Sequence, residues 1–85
     1  MNPRKLLQRL SQGSLGNVAF LDLVRLVEGL GFRLARVSGS HHIFSHPEVP
    51  ELINLQEVGG QAKPYQVRQL LRLVERYNLK LEDES

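Results

Sequence analysis

Hydrophobic positions along the chain change period several times, and each change marks an element. After Asn2-Pro3, a cap residue followed by proline at the first helical position, Leu6, Leu7 and Leu10 fall on one helical face. That helix ends near Ser11, and Ser11-Gln12-Gly13-Ser14-Leu15-Gly16-Asn17 reads as a flexible connector. From about Phe20 to Leu30 the period is helical again. Phe20, Val24 and Val27 recur at spacings of three and four, joined by Leu23 and Leu30, with Asp22, Arg25 and Glu28 outward. Asn17 is the predicted cap of this helix. Gly31 is its stop, because glycine takes the left-handed conformation at little cost.

The period then falls to two. Phe32-Arg33-Leu34-Ala35-Arg36-Val37 alternates, Ser38-Gly39-Ser40 supplies a turn, and His41-His42-Ile43-Phe44-Ser45-His46 is the return strand. Pro47 and Pro50 bracket a second turn, and Leu52-Ile53-Asn54-Leu55-Gln56 reads as a third strand. Gly59-Gly60 breaks the chain, and Pro64 opens a last helix whose apolar stripe is Val67, Leu70, Leu71, Val74 and Tyr77. Arg68, Arg72, Glu75 and Arg76 lie largely off that stripe. Helix, three-stranded antiparallel meander and helix, with an extra N-terminal helix, predict an α+β two-layer domain with one sheet face open.

Composition narrows the class. Eighty-five residues, 41% hydrophobic and 24% charged, suit one small globular domain with a single core. The absence of cysteine excludes a disulfide scaffold and every thiolate metal site. No apolar run approaches the roughly 18 residues that span a bilayer, and the N-terminus lacks a signal-peptide pattern. The expected compartment is the cytoplasm, with no membrane association. Net charge is +2, but Glu82, Asp83 and Glu84 stand together at the end. A basic body with a short acidic tail suits an anionic partner such as nucleic acid.

Candidate chemistry gathers at Gly39-Ser40-His41-His42, with His46 beyond. Strand geometry separates the three histidines. At a rise of about 3.3 Å per residue, His42 and His46 are about 13 Å apart, and His41 and His42 point to opposite faces. Zinc needs ligands at about 2.0–2.1 Å, so no metal site is expected. If Phe44 faces the helices, His42 and His46 share its side, while His41, Ile43 and Ser45 occupy the open face. An exposed imidazole is available as acid or base near neutral pH. Ser40 adds a hydroxyl and an N–H for a phosphate oxygen, and Gly39 permits close backbone approach, although a plain hairpin turn also explains the glycine. There is no P-loop, no dinucleotide-type glycine pattern, no cysteine nucleophile and no evident carboxylate to orient a serine–histidine pair.

Gly31-Phe32, Arg36 and the run Gly39-Ser40-His41-His42-Ile43-Phe44-Ser45-His46-Pro47, followed by a hydrophobic strand and a terminal helix, resemble the HicA toxins. These small proteins, also called YcfA-like, are the toxins of HicA–HicB toxin–antitoxin pairs. The resemblance covers roughly residues 18 to 79. It implies a double-stranded-RNA-binding-like α-β-β-β-α fold and a ribonuclease acting on messenger RNA. It further implies a catalytic histidine in the Gly-Ser-His motif and a HicB-like antitoxin partner. The histidine carried over is His41, with His42 in reserve. In this chain Ile53-Asn54-Leu55 runs into Gln56-Glu57 where the family usually has a Pro-His step.

The resulting expectation is an N-terminal helical extension and connector at residues 1–17, a HicA-like domain at 18–81 and an acidic tail at 82–85. The expected activity is that of a metal-independent endoribonuclease, needing no cofactor. His41 is its general acid/base, and Arg36, Gly39, Ser40, Lys63 and Arg68 contact RNA. A non-catalytic double-stranded-RNA-binding module is the alternative, and a protein-interaction domain with a solvated basic face is the third reading.

Overall fold

In the computed structural model, which describes residues 1–82, Asn2 caps helix α1 (Pro3–Ser11) as its sequence predicts. Its side-chain oxygen accepts from the Arg4 N–H at 2.8 Å, satisfying one of the free donors of the first turn. Leu6 and Leu10 of α1 are buried, so the N-terminal segment packs into the same core as the rest of the chain. The connector after it is tied rather than loose, because the Arg9 guanidinium donates to the carbonyl of Gly16 at 2.6 Å.

Helix α2 (Phe20–Gly29) departs from its expected start. Asn17 does not cap it. Instead Asn17 takes a left-handed φ of 56°, and Ala19 stands at the cap position with no side-chain bond. The cause lies far along the chain. Val18–Ala19 form a short strand, β1, that pairs antiparallel with a strand at Gln61–Ala62, and the Phe20 N–H donates to the Gly60 carbonyl at 2.9 Å. At the other end Gly31, at φ 103°, turns the chain out of the helix. A side chain there is excluded twice over, since a Cβ would lie 2.7 Å from the imidazole Nε2 of His46.

Strands β2 (Arg33–Ser38), β3 (His41–His46) and β4 (Val49–Gln56) form an antiparallel sheet in sequence order. The alternation of β2 is interrupted, because Leu34 opposes Phe44 while Arg36 opposes the next residue, Ile43. Ala35 is therefore the extra residue of a β-bulge, which turns Arg36 to the face opposite Leu34. β4 starts earlier than Leu52 and runs through Pro50, so the turn is confined to Pro47 and Glu48. Proline fits there because β4 is an edge strand and its pairing with β3 is irregular beside Ser45. β5 (Gln61–Ala62) then leads into helix α3 (Pro64–Tyr77).

α2 and α3 lie on one side of the sheet, where their buried residues join Phe44, Ile53 and Leu55 of β3 and β4 in one core. Leu34 and Val37 of the edge strand β2 stay exposed on that side. In α3 the deepest positions are Gln66, Val67, Leu70 and Leu73, with Leu71, Val74 and Tyr77 at the margin of the stripe. The Tyr77 hydroxyl donates to Glu51 of β4 at 2.5 Å, and that bond holds the phenol above its usual titration range. Glu82, expected to begin the acidic tail, is docked: its N–H donates to the Gly29 carbonyl at 2.7 Å and its carboxylate pairs with Arg33 at 3.4 Å. Asp83, Glu84 and Ser85 lie outside the described residues. Leu52 and Asn54 on the far face of the sheet are exposed. The fold is α+β, three helices with a three-stranded antiparallel sheet. No helix among the described residues is long and apolar enough to cross a membrane.

Candidate functional site

The hairpin between β2 and β3 has a two-residue loop, Gly39-Ser40, since Ser38 pairs with His41. Gly39 has φ 60° and Ser40 is not in the positive-φ region, the pattern of a type II′ turn with glycine at its first central position. A Cβ at Gly39 would meet no atom within 4 Å. The backbone conformation alone explains this glycine, and the space around the turn is open.

The three histidines occupy three different settings. His41 is exposed on the uncovered face, with its Nδ1 3.0 Å from Oδ1 of Asn54 on β4. His42 is half-buried on the helix side. Its ring meets Phe20 edge-on at 5.0 Å between centroids, and its Nδ1 is 3.3 Å from the Ser40 carbonyl. His46 packs the same way on Phe32 at 5.0 Å. It accepts the Glu48 N–H at Nδ1 (3.0 Å), and its Nε2 lies 3.2 Å from the Leu30 carbonyl. Both nitrogens of His46 are engaged by backbone groups, the setting of a structural histidine. Among the described residues, no three His, Asp or Glu side chains come together as a metal-ligand set.

The bulge at Ala35 brings Arg36 onto the face of His41. Arg36 opposes Ile43, which makes it a diagonal neighbour of His41, about 7–8 Å away across the ladder. Arg36, Gly39, Ser40 and His41 therefore belong to one hairpin with an exposed rim. Lys63 and Arg68 do not join them. Lys63 precedes α3 and Arg68 lies on it, both exposed, and α3 packs against the other face of the sheet. None of Arg36, Lys63 and Arg68 has an ion-pair partner among the described residues, unlike Arg25 with Asp22 (3.6 Å) and Arg33 with Glu82.

Two residues at the site were not among the candidates read from the sequence. Asn54 reaches His41, and Gln56 donates its Nε2 to the Ser40 hydroxyl at 3.2 Å. Both stand on the open face because Ile53 and Leu55, which alternate with them, are buried. That alternation was available in the sequence. The pairing register that sets these two amides against the hairpin was not.

Three antiparallel strands with helices on one side, and a Gly-Ser-His turn on the other, define a double-stranded-RNA-binding-like α+β domain with its one exposed histidine at the hairpin tip. The comparison with protein families agrees: the family described as HicA toxin of bacterial toxin-antitoxin matches residues 21–75, more than half of the chain. The chain belongs to the HicA toxin family, the toxins of toxin–antitoxin systems. No curated protein and no solved structure matches the chain significantly.

Proposed function

We infer that this toxin is a metal-independent endoribonuclease that cleaves messenger RNA in the cytoplasm, with His41 as its general acid/base. The observation that carries this reading is the exposure of His41 on the open sheet face, on the same face as Arg36. The other two imidazoles are packed against Phe20 and Phe32. His41 takes the proton of an RNA 2′-hydroxyl. The 2′-oxygen attacks the adjacent phosphorus, the bond to the 5′-oxygen breaks, and that oxygen leaves and takes up a proton. Arg36 and the Ser40 hydroxyl and N–H bind the non-bridging phosphate oxygens, where negative charge builds up. A HicB-like antitoxin is the inhibitory partner, acting by covering the open face.

Labelled RNA incubated with the purified protein in EDTA tests the chemistry. Cleavage is expected on RNA alone, because only RNA carries the 2′-hydroxyl nucleophile. The products carry a 2′,3′-cyclic or 3′-phosphate and a 5′-hydroxyl. Cutting of DNA at a comparable rate, or activity lost in EDTA and restored by zinc, overturns the mechanism.

The alternative of a non-catalytic RNA-binding module draws support from Lys63 and Arg68, which lie away from His41 on the helical layer. A gel shift without cleavage in the same assay selects it. In either case phosphate binding makes affinity fall with salt. Changing Arg36, Lys63 and Arg68 together to alanine is expected to weaken RNA binding at low salt. It should also flatten the plot of log K against log salt by up to about 0.7–0.9 for each phosphate no longer neutralised. An unchanged slope assigns these cations to a solvated surface.

A further inference from the structure

Asn54 and Gln56 stand two residues apart on β4 and reach the two polar side chains of the hairpin tip in a crossed pattern. Gln56 opposes His41 in the ladder but donates to Ser40. Asn54 opposes Ile43 but lies diagonally against His41. An amide oxygen only accepts hydrogen bonds. With Oδ1 of Asn54 facing it at 3.0 Å, Nδ1 is the donor, and in the neutral ring that leaves Nε2 with its lone pair. A free imidazole exchanges between its two tautomers and rotates, so only part of its population is ready to accept a proton from a given direction.

We propose that Asn54 is a positioning residue, holding His41 in the Nδ1–H tautomer and presenting Nε2 to the substrate hydroxyl. Gln56 completes the arrangement on the other side of the tip. By donating to Ser40 Oγ it occupies a lone pair and leaves the Ser40 O–H to donate outward, toward a phosphate oxygen. No carboxylate pairs with His41 among the described residues, and a neutral amide takes the orienting place. This choice has a chemical consequence. A carboxylate would favour the charged imidazolium, whereas an amide fixes the tautomer without that bias.

The inference rests on His41 acting as a base, but its first readout does not. In protein labelled with 15N-histidine, long-range proton–nitrogen spectra of the neutral ring distinguish the two tautomers, and His41→Ala identifies the His41 signals. The Nδ1–H form is expected to dominate in the native protein. Asn54→Val, an exposed substitution that leaves the melting temperature in place, is expected to return His41 to a tautomer mixture. In cleavage assays it should lower kcat about tenfold with little change in KM, the scale of a single hydrogen bond. Asn54→Asp should restore the tautomer and move the acid limb of the pH–rate profile to higher pH, since the carboxylate stabilises the imidazolium.

A native His41 found in the Nε2–H form would mean that Asn54 donates rather than accepts, and the proposal falls. It falls equally if Asn54→Val cleaves RNA with native kcat. If Asn54 controls the tautomer yet no RNA is cleaved, the ribonuclease reading fails while the hold of Asn54 on His41 stands.

Discussion

His41→Ala is expected to lower RNA cleavage by about 10²–10⁴-fold, the usual contribution of a general acid or base. It should leave the melting temperature almost unmoved. The side chain is exposed, and Asn54, to which it bonds, is exposed as well, so removal opens no cavity. Substitutions of that kind stay within about 0.5 kcal/mol of the parent stability. RNA binding and antitoxin binding persist, because neither depends on proton transfer. His42→Ala shows the opposite pattern: it removes the edge-on packing with Phe20 from the helix side of the sheet, and thermal stability falls while cleavage survives. Single-turnover cleavage and thermal melts on both variants decide the matter. An active His41→Ala beside a folded, inactive His42→Ala would reverse the assignment.

Phe44→Ala is expected to be the most damaging single truncation in the sheet. Phe44 is 1% exposed and stands at the centre of β3, opposite Leu34 and Ile53 and beneath the helices. Replacing a fully buried phenylalanine by alanine costs about 3–5 kcal/mol, through lost transfer energy and the cavity left behind. Whole domains are stable by only about 5–15 kcal/mol, so the variant sits close to unfolding at room temperature. Urea titration followed by circular dichroism measures the loss. A midpoint shift worth under about 1 kcal/mol would show that the helices do not close over this ring.

Much of the arrangement was legible because two periods write themselves plainly into the chain. Phe44 sits in a β-alternating run, so its burial assigns His42 and His46 to one face and His41 to the other, and the structure places all three accordingly. Asn2-Pro3 and Gly31 announce their helix ends through local chemistry: an oxygen acceptor, a preset φ and a position that admits no Cβ. The parts that could not be read depend on distant pairings. Asn17 has the composition of a cap, yet the ladder between β1 and β5 draws Val18–Ala19 into extended form and moves the helix start. The bulge at Ala35 leaves no compositional mark, since alanine is neutral to it, and without the bulge Arg36 falls on the side of Leu34. Gln66 is 2% exposed on α3, where polarity alone would place it outside. Gln56 stood out only as part of a departure from the family's usual Pro-His step and Asn54 not at all, and the register of β3 against β4 is what gives both a hydrogen bond to the hairpin.

The two-faced character of β3 also governs how this toxin tolerates change. Within it Phe44 is buried and His42 and His46 pack on Phe20 and Phe32, while His41, Ile43 and Ser45 lie on the open face. β4 obeys the same rule, with Ile53 and Leu55 inside and Asn54 and Gln56 outside. Selection can therefore rewrite the outer positions of both strands one at a time, trading one set of orienting groups for another, without passing through an unfolded intermediate sequence. A toxin built this way can change the surface it presents on that face while its interior stays fixed.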